Sequence, residues 1–172
     1  NEVLDLAKIE AGKIDLSIEQ FEVKPVLDES ISLIQTLAEK RGIETVTSDG
    51  FDSSTEICAD RTRFKQLLLN LMSNAVKYNR ENGKITIECH ETDDSMLHIS
   101  VNDTGEGIPE NMLEELFEPF SRLKADGANI EGTGIGLTIT KQLIERMDGE
   151  IGVNSEVGTG STFWIELPLA GK

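Results

Sequence analysis

Four short polar or glycine-rich segments stand in fixed order between Arg63 and Thr162, and any fold for this chain must accommodate all of them. They are Asn70-Leu-Met-Ser-Asn74-Ala-Val-Lys77, Asp103-Thr-Gly105-Glu-Gly107-Ile-Pro109, Gly132-Thr-Gly134-Ile-Gly136-Leu137 and Gly158-Thr-Gly160-Ser-Thr162. Singly, each reads as a turn or a helix cap. Taken in sequence, they describe one pocket for a phosphate-bearing ligand. The common phosphate cradle, Gly-x4-Gly-Lys-Ser/Thr, is absent from the sequence.

Periodicity places these segments on a scaffold. Residues 3–11 are helical in pattern and stop at Gly12, with no N-cap before them and no evident partner for their apolar side. Residues 15–23 alternate as a half-buried strand does. Pro25 opens a helix through Lys40, with Val26, Leu27, Ile31, Ile34, Leu37 and Ala38 at helical spacing and Gly42 beyond its end. Strands are expected over 43–47 and 56–59, and Asp60 is placed to cap a helix that runs to about Tyr78. Strands 84–91 and 96–102 read as a hairpin joined by Thr92-Asp-Asp-Ser95. Pro109 starts a short helix to about Phe117, residues 118–133 read as a loop, and a helix runs from about Gly134 to Met147. Asp148-Gly149 then turns into strands 150–155 and 161–167. Without a strict βαβ repeat, the pattern predicts a layered sheet with helices on one face.

Charge narrows the partners. The 172 residues suit one domain, and their formal net charge of −16 disfavours nucleic acid and anionic membrane surfaces. An acidic chain that binds an anion must concentrate its few cations, which directs attention to Lys77, Arg122, Lys124 and Lys141. Cys58 and Cys89 lie in strand-like runs without metal-type spacing and read as reduced, half-buried residues of a cytosolic protein. His90 and His98 also sit in alternating runs, where structural roles are commoner than catalytic ones. The Asn102-Asp-Thr104 sequon has no secretory signal before it, and no apolar run is long enough to span a bilayer.

The motifs carry specific chemistry. On the helix over 63–78, Phe64, Leu67, Leu68, Leu71, Ala75 and Tyr78 form an apolar stripe, beside a second stripe of Gln66, Asn70, Asn74 and Lys77. Asparagine gains nothing from repeating at i and i+4 on a solvated helix face. An amide oxygen for a hard cation beside a lysine for phosphate accounts for the pair better. Asp103 ends an alternating strand, where a carboxylate can accept from an exocyclic amine, and Gly105 and Gly107 allow backbone to approach a flat ring. A plain turn is the competing reading for those glycines. Asp-Thr-Gly also occurs in aspartic proteases, but no second such triplet exists here. The Gly132–Gly136 segment opens a helix whose free N–H groups favour an anion, while a Rossmann turn would need glycine where Leu137 stands. Phe117 and Phe120 read either as core anchors or as part of a closing element. Gly158–Thr162 alone would be a hairpin turn.

In order, spacing and flanks, these blocks resemble the catalytic, ATP-binding domain of sensor histidine kinases in the GHKL ATPase superfamily, over roughly residues 15–168. Asn70–Lys77 is similar to the N box, Asp103–Gly107 to the G1 box, Phe117–Phe120 to the F box, Gly132–Gly136 to the G2 box and Gly158–Thr162 to the G3 region. Residues 1–12 resemble the end of the family's dimerisation and phosphoacceptor helix. The resemblance implies an α+β fold: a two-layer α/β sandwich with a mixed, mostly antiparallel sheet of about five strands and three main helices on one face. It implies a catalytic domain over 13–172 with an ATP lid at about 117–133.

Residue by residue, Asn74 would hold Mg²⁺ with Asn70 supporting the same face. Lys77 would approach phosphate, and Tyr78 would flank the nucleoside. Asp103 would bind the adenine amine beside Gly105, with Gly107 and Ile108 lining the base. Arg122 would reach the terminal phosphate from the lid. Gly132, Thr133, Gly134, Ile135, Gly136 and Leu137 would flank the phosphates, and Thr162 would join Asp103 through water or its hydroxyl. The implied activity is transfer of the ATP γ-phosphate to a histidine on a domain outside this chain, and onward to a response-regulator receiver domain. No complete catalytic set is expected within the chain. A cytoplasmic site is implied, with no membrane contact by these residues and no nucleic-acid partner.

Three rivals share or abandon the pocket. A gyrase-like ATPase would want a carboxylate one turn before Asn74, where Asn70 and Gln66 stand. A serine-directed anti-sigma kinase does not account for residues 1–12, and a non-catalytic docking module does not account for intact motifs. His90-Glu91 superficially resembles a phosphoacceptor pair but lies in a strand-like run.

Overall fold

The computed structural model describes residues 2–119 and 135–171. Its elements are α1 (Glu2–Glu10), β1 (Ile18–Glu22), α2 (Val23–Glu39), β2 (Glu44–Gly50), β3 (Glu56–Asp60), α3 (Arg61–Lys77), β4 (Lys84–Glu91), β5 (Met96–Asp103), α4 (Glu110–Leu113), α5 (Gly136–Arg146), β6 (Glu150–Glu156) and β7 (Gly160–Pro168). Five strands form one sheet in the order β2-β4-β5-β7-β6, and β1 and β3 form a separate antiparallel pair. Only β2 and β4 run parallel; the other neighbours in the large sheet are antiparallel. The β2–β4 connection passes through β3 and α3, which is the crossover a parallel neighbour requires.

Strand parity decides the layers. Ile85, Ile87 and Cys89 of β4, Leu97, Ile99 and Val101 of β5, and Phe163, Ile165 and Leu167 of β7 are all buried. They meet the buried stripes of α2, α3 and α5 in one core. The two-layer α+β sandwich follows, with one extra two-stranded sheet beyond the expected five strands. That small sheet is tied to the large one where the chain beyond β7 returns: Leu169 bridges Ile57, and Ala170 donates to the Glu56 carbonyl. On the outer face, His98 stacks between His90 and Trp164 and pairs with Glu166 at 3.0 Å, so both histidines have packing roles.

Several expectations are corrected. The strand expected over 15–23 is confined to Ile18–Glu22, and α2 begins at Val23, whose N–H meets the Thr55 carbonyl; Pro25 lies within its first turn. The helix after Pro109 is one turn only. The half-buried cysteines divide, with Cys58 exposed and Cys89 buried, neither of them in a disulfide among the described residues. The leading helix does have a partner. Leu6 and Ile9 are buried, Arg146 of α5 donates to the Ile9 carbonyl at 3.0 Å, and Asp5 pairs with Arg63 of α3 at 3.4 Å. Leu37, expected on the apolar side of α2, is exposed.

Candidate functional site

The site is built at the C-terminal end of α3. Asp60 starts this helix by accepting from the Arg63 N–H at 3.0 Å, and it also holds the Ser17 N–H at 2.9 Å. Phe64, Leu67, Leu68, Leu71, Met72, Ala75 and Val76 bury one face, which fixes the rotation of the helix and therefore the aim of its polar stripe. At the far end Arg41 donates to the carbonyls of Val76, Lys77 and Asn79 and pairs with Glu81. Carbonyls that an α-helix leaves without partners are thereby satisfied by a cation, the favourable sign at a helix C-terminus.

Along the polar stripe the residues divide in role. Asn70 is engaged: its amide nitrogen donates to Thr140 Oγ1 at 3.2 Å and to the Gly136 carbonyl at 3.5 Å, pinning the first turn of α5 to α3. Asn74 is half-buried, and its side-chain amide has no hydrogen-bond partner among the described residues. Lys77 is exposed and makes no ion pair among the described residues. Tyr78 leaves the expected apolar stripe; it caps the helix and is 41% exposed.

Asp103 ends β5 with only 4% of its surface exposed. Its Oδ1 accepts from the Gly105 N–H at 2.9 Å. Burial pushes its pKa above the ordinary aspartate value, and the Gly105 and Ser161 backbone N–H groups offset only part of that. No cationic side chain pairs with it among the described residues.

The glycines around it serve the chain's own packing. A Cβ on Gly105 would collide with the Tyr78 carbonyl oxygen, and one on Gly107, at φ +77°, with the Glu156 carbonyl oxygen. One on Gly160 would strike the Asp103 carbonyl oxygen. The Asp103 and Gly158 motifs thus touch backbone to backbone, and Tyr78, which follows the Asn70–Lys77 motif, closes on the first of them. Ser155 adds a polar link, accepting from the Ile108 N–H at 2.7 Å and sharing a hydrogen bond with Ser161 at 2.7 Å.

Two expected positions move. Thr162 does not join Asp103: the register sets Asp103 opposite Ser161, while Thr162 lies opposite Asn102 and accepts from its amide at 2.7 Å on the other face. Side chains alternate across a strand, so a one-residue difference reverses the face. Ile135 is wholly buried in the core, whereas Gly136 and Leu137 are half-buried at the start of α5. Phe117 is anchored on α5, its carbonyl accepting from Thr138 and its ring lying under Lys141. Arg122, Gly132, Thr133 and Gly134, with Phe120 and Lys124, lie outside the described residues. Sequence reading missed Ser161, Arg41 and Asn79. Ser161 was accessible from strand parity once Asp103 was singled out, but the two arginine- and asparagine-based contacts depend on tertiary placement.

Residues 59–171 match the family model of the histidine kinase-, DNA gyrase B- and HSP90-like ATPases. The chain belongs to this family. Among its relatives, the sensor histidine kinase GacS of Pseudomonas protegens is 40% identical across 98% of this chain, which spans 19% of that relative. Full-length ShkA in complex with AMPPNP superposes with a TM-score of 0.85 at 32% identity, covering 99% of this chain and 35% of the other. The catalytic domain of the histidine kinase ThkA gives 0.77 at 30% identity, covering 89% of this chain and 96% of that one. ThkA in complex with the response regulator TrrA gives 0.75 at 28%, covering 96% and 46%. Within the family, then, this ATPase domain is similar to sensor histidine kinase catalytic domains. Among the described residues no helix is long and apolar enough to cross a membrane.

Proposed function

We propose that this ATPase domain binds Mg·ATP as the catalytic domain of a two-component sensor histidine kinase and donates the γ-phosphate to a histidine outside the chain. Residues 1–12 would be the end of the second helix of the dimerisation and phosphoacceptor domain, residues 13–172 would form the nucleotide domain, and residues from about 117 to 133 would supply its lid. A response-regulator receiver domain would take the phosphate onward, as the ThkA complex with its regulator suggests by analogy.

The observation that carries this reading is Asp103: a buried carboxylate without a cationic partner among the described residues, kept at a cost in stability. Such a group is suited to accept a hydrogen bond from the adenine amine. The amide of Asn74, without a side-chain partner among the described residues, fits a hard cation, and the ammonium of Lys77, unpaired among the same residues, fits phosphate. Mg²⁺, when bound there, would neutralise charge on the triphosphate. This chain's residues would do the rest: Asp103 selects the base, Lys77 offsets phosphate charge, and the Asn70–α5 link holds the helix start where the phosphates would lie. Phosphoryl transfer depends on such positioning and charge neutralisation more than on covalent chemistry.

Calorimetric titration with AMPPNP and Mg²⁺ tests the reading. Wild type should bind. Asp103→Asn should weaken affinity by about tenfold or more, because a buried recognition group loses its match. Asn74→Ala should remove the magnesium dependence. Labelled γ-phosphate from ATP should enter the chain alone only in traces, and enter a supplied phosphoacceptor domain in acid-labile form. Absence of wild-type binding at millimolar nucleotide would overturn the proposal.

A further inference from the structure

Arg80 lies just beyond α3 and is aimed at backbone rather than at a carboxylate. Its Nη2 donates to the carbonyls of Gly105 at 3.1 Å and Gly158 at 3.2 Å. In a chain with 32 acidic residues, a surface arginine would ordinarily find a carboxylate, yet Arg80 makes no ion pair among the described residues. The two turns it grips are also joined directly, because the Gly158 N–H donates to the Glu106 carbonyl at 2.7 Å.

Its neighbour Asn79 is buried and reinforces the same junction. The Asn79 amide oxygen accepts from the Arg80 N–H and from Thr104 Oγ1, each at 3.0 Å, while its nitrogen donates to the Lys84 carbonyl. Thr104 and Gly105 follow Asp103 directly, and the Gly105 N–H holds the Asp103 carboxylate. The orientation of that carboxylate therefore depends on the Gly105 backbone, which Arg80 grips at the carbonyl.

We propose that Arg80 is a positioning residue for base recognition, clamping the Gly105 and Gly158 turns so that the Asp103 carboxylate is held ready for an exocyclic amine. This inference rests on the ATP reading above. A salt bridge or a solvated surface arginine could be replaced without changing which base is preferred. A positioning residue could not.

The test compares affinities for Mg·ATP and Mg·ITP, whose base carries a ring carbonyl in place of the amine, in wild type, Arg80→Ala and Arg80→Lys. Wild type should prefer ATP by about tenfold or more. Arg80→Ala should narrow that preference by roughly fivefold, the worth of about one hydrogen bond, with ITP affinity little changed. Arg80→Lys, whose ammonium has donors enough but reaches less far than the Nη2 that makes both bonds, should lie between. Amide hydrogen exchange at Gly105 without nucleotide should also speed up in Arg80→Ala. Equal losses for both nucleotides, or faster exchange with an unchanged ATP preference, would make Arg80 merely structural and overturn the inference while leaving the ATP reading intact. Failure of wild type to bind either nucleotide would instead remove the ATP reading, and this inference with it.

Discussion

At Asp103 function and stability pull in opposite directions. Its folded-state pKa is raised by burial, so the folded chain holds the proton to higher pH than the unfolded chain does. The group's contribution to stability is therefore most favourable below the ordinary aspartate pKa of about 4 and is lost as pH rises through the raised folded value. Asp103→Asn removes that titration while keeping an oxygen to accept the Gly105 N–H. The variant should melt above wild type near neutral pH, and the gap in Tm should open as pH rises from about 4 to about 7. A gap independent of pH would mean that burial is not what the carboxylate suffers. Nucleotide affinity in wild type should move the other way, falling as pH drops and the carboxylate protonates.

The elements show what was legible in sequence and what was not. α3 was readable almost whole, because its apolar spacing, Asp60 cap and polar stripe are all local signals. The β4–β5 hairpin and the β6–β7 pair were equally plain from alternation and turn residues. The partner of α1 was not, since burial of Leu6 and Ile9 against α5 joins residues far apart in sequence. Nor was the β1–β3 pairing, which leaves each strand short and locally ambiguous. The site followed the same division. Asp103 and Asn74 declared themselves by residue type in a motif, but Ser161 in place of Thr162 required the β5–β7 register. Asp60 is the sharpest test at this scale, for it joins a local role to a distant one. Asp60→Ala removes the cap of α3 and the anchor of the Ser17 N–H together. The expected cost is about 1–2 kcal/mol, the upper part of the range for loss of an N-cap because the Ser17 anchor goes with it, read from the urea midpoint at unchanged slope. A cost of a few tenths would mean that packing of the apolar stripe alone sets where α3 begins.

Charge belongs to the molecule as a whole. With 32 acidic against 16 basic residues, the compact state works against its own field. The ion pairs Lys24–Asp28, Arg41–Glu81, Lys65–Glu29 and Lys141–Glu145 each leave at least one partner well exposed, so screening them costs little. Long-range repulsion is the larger quantity, and it is the one that salt removes, since the Debye length falls from about 30 Å at 0.01 M to about 8 Å at 0.15 M. Raising NaCl across that range should therefore stabilise the protein, by roughly 2–4 °C in Tm if about 1 kcal/mol of repulsion is relieved. Choline chloride at equal ionic strength should reproduce the gain, because screening does not depend on which monovalent cation supplies it. A gain seen with Na⁺ alone would point to ion binding, and a fall in Tm would show that the local pairs outweigh the net charge. If the gain is general, Mg²⁺ titrated at constant ionic strength without nucleotide should add little more, since Asn74 offers a single neutral oxygen and the other ligands are expected from phosphate and water.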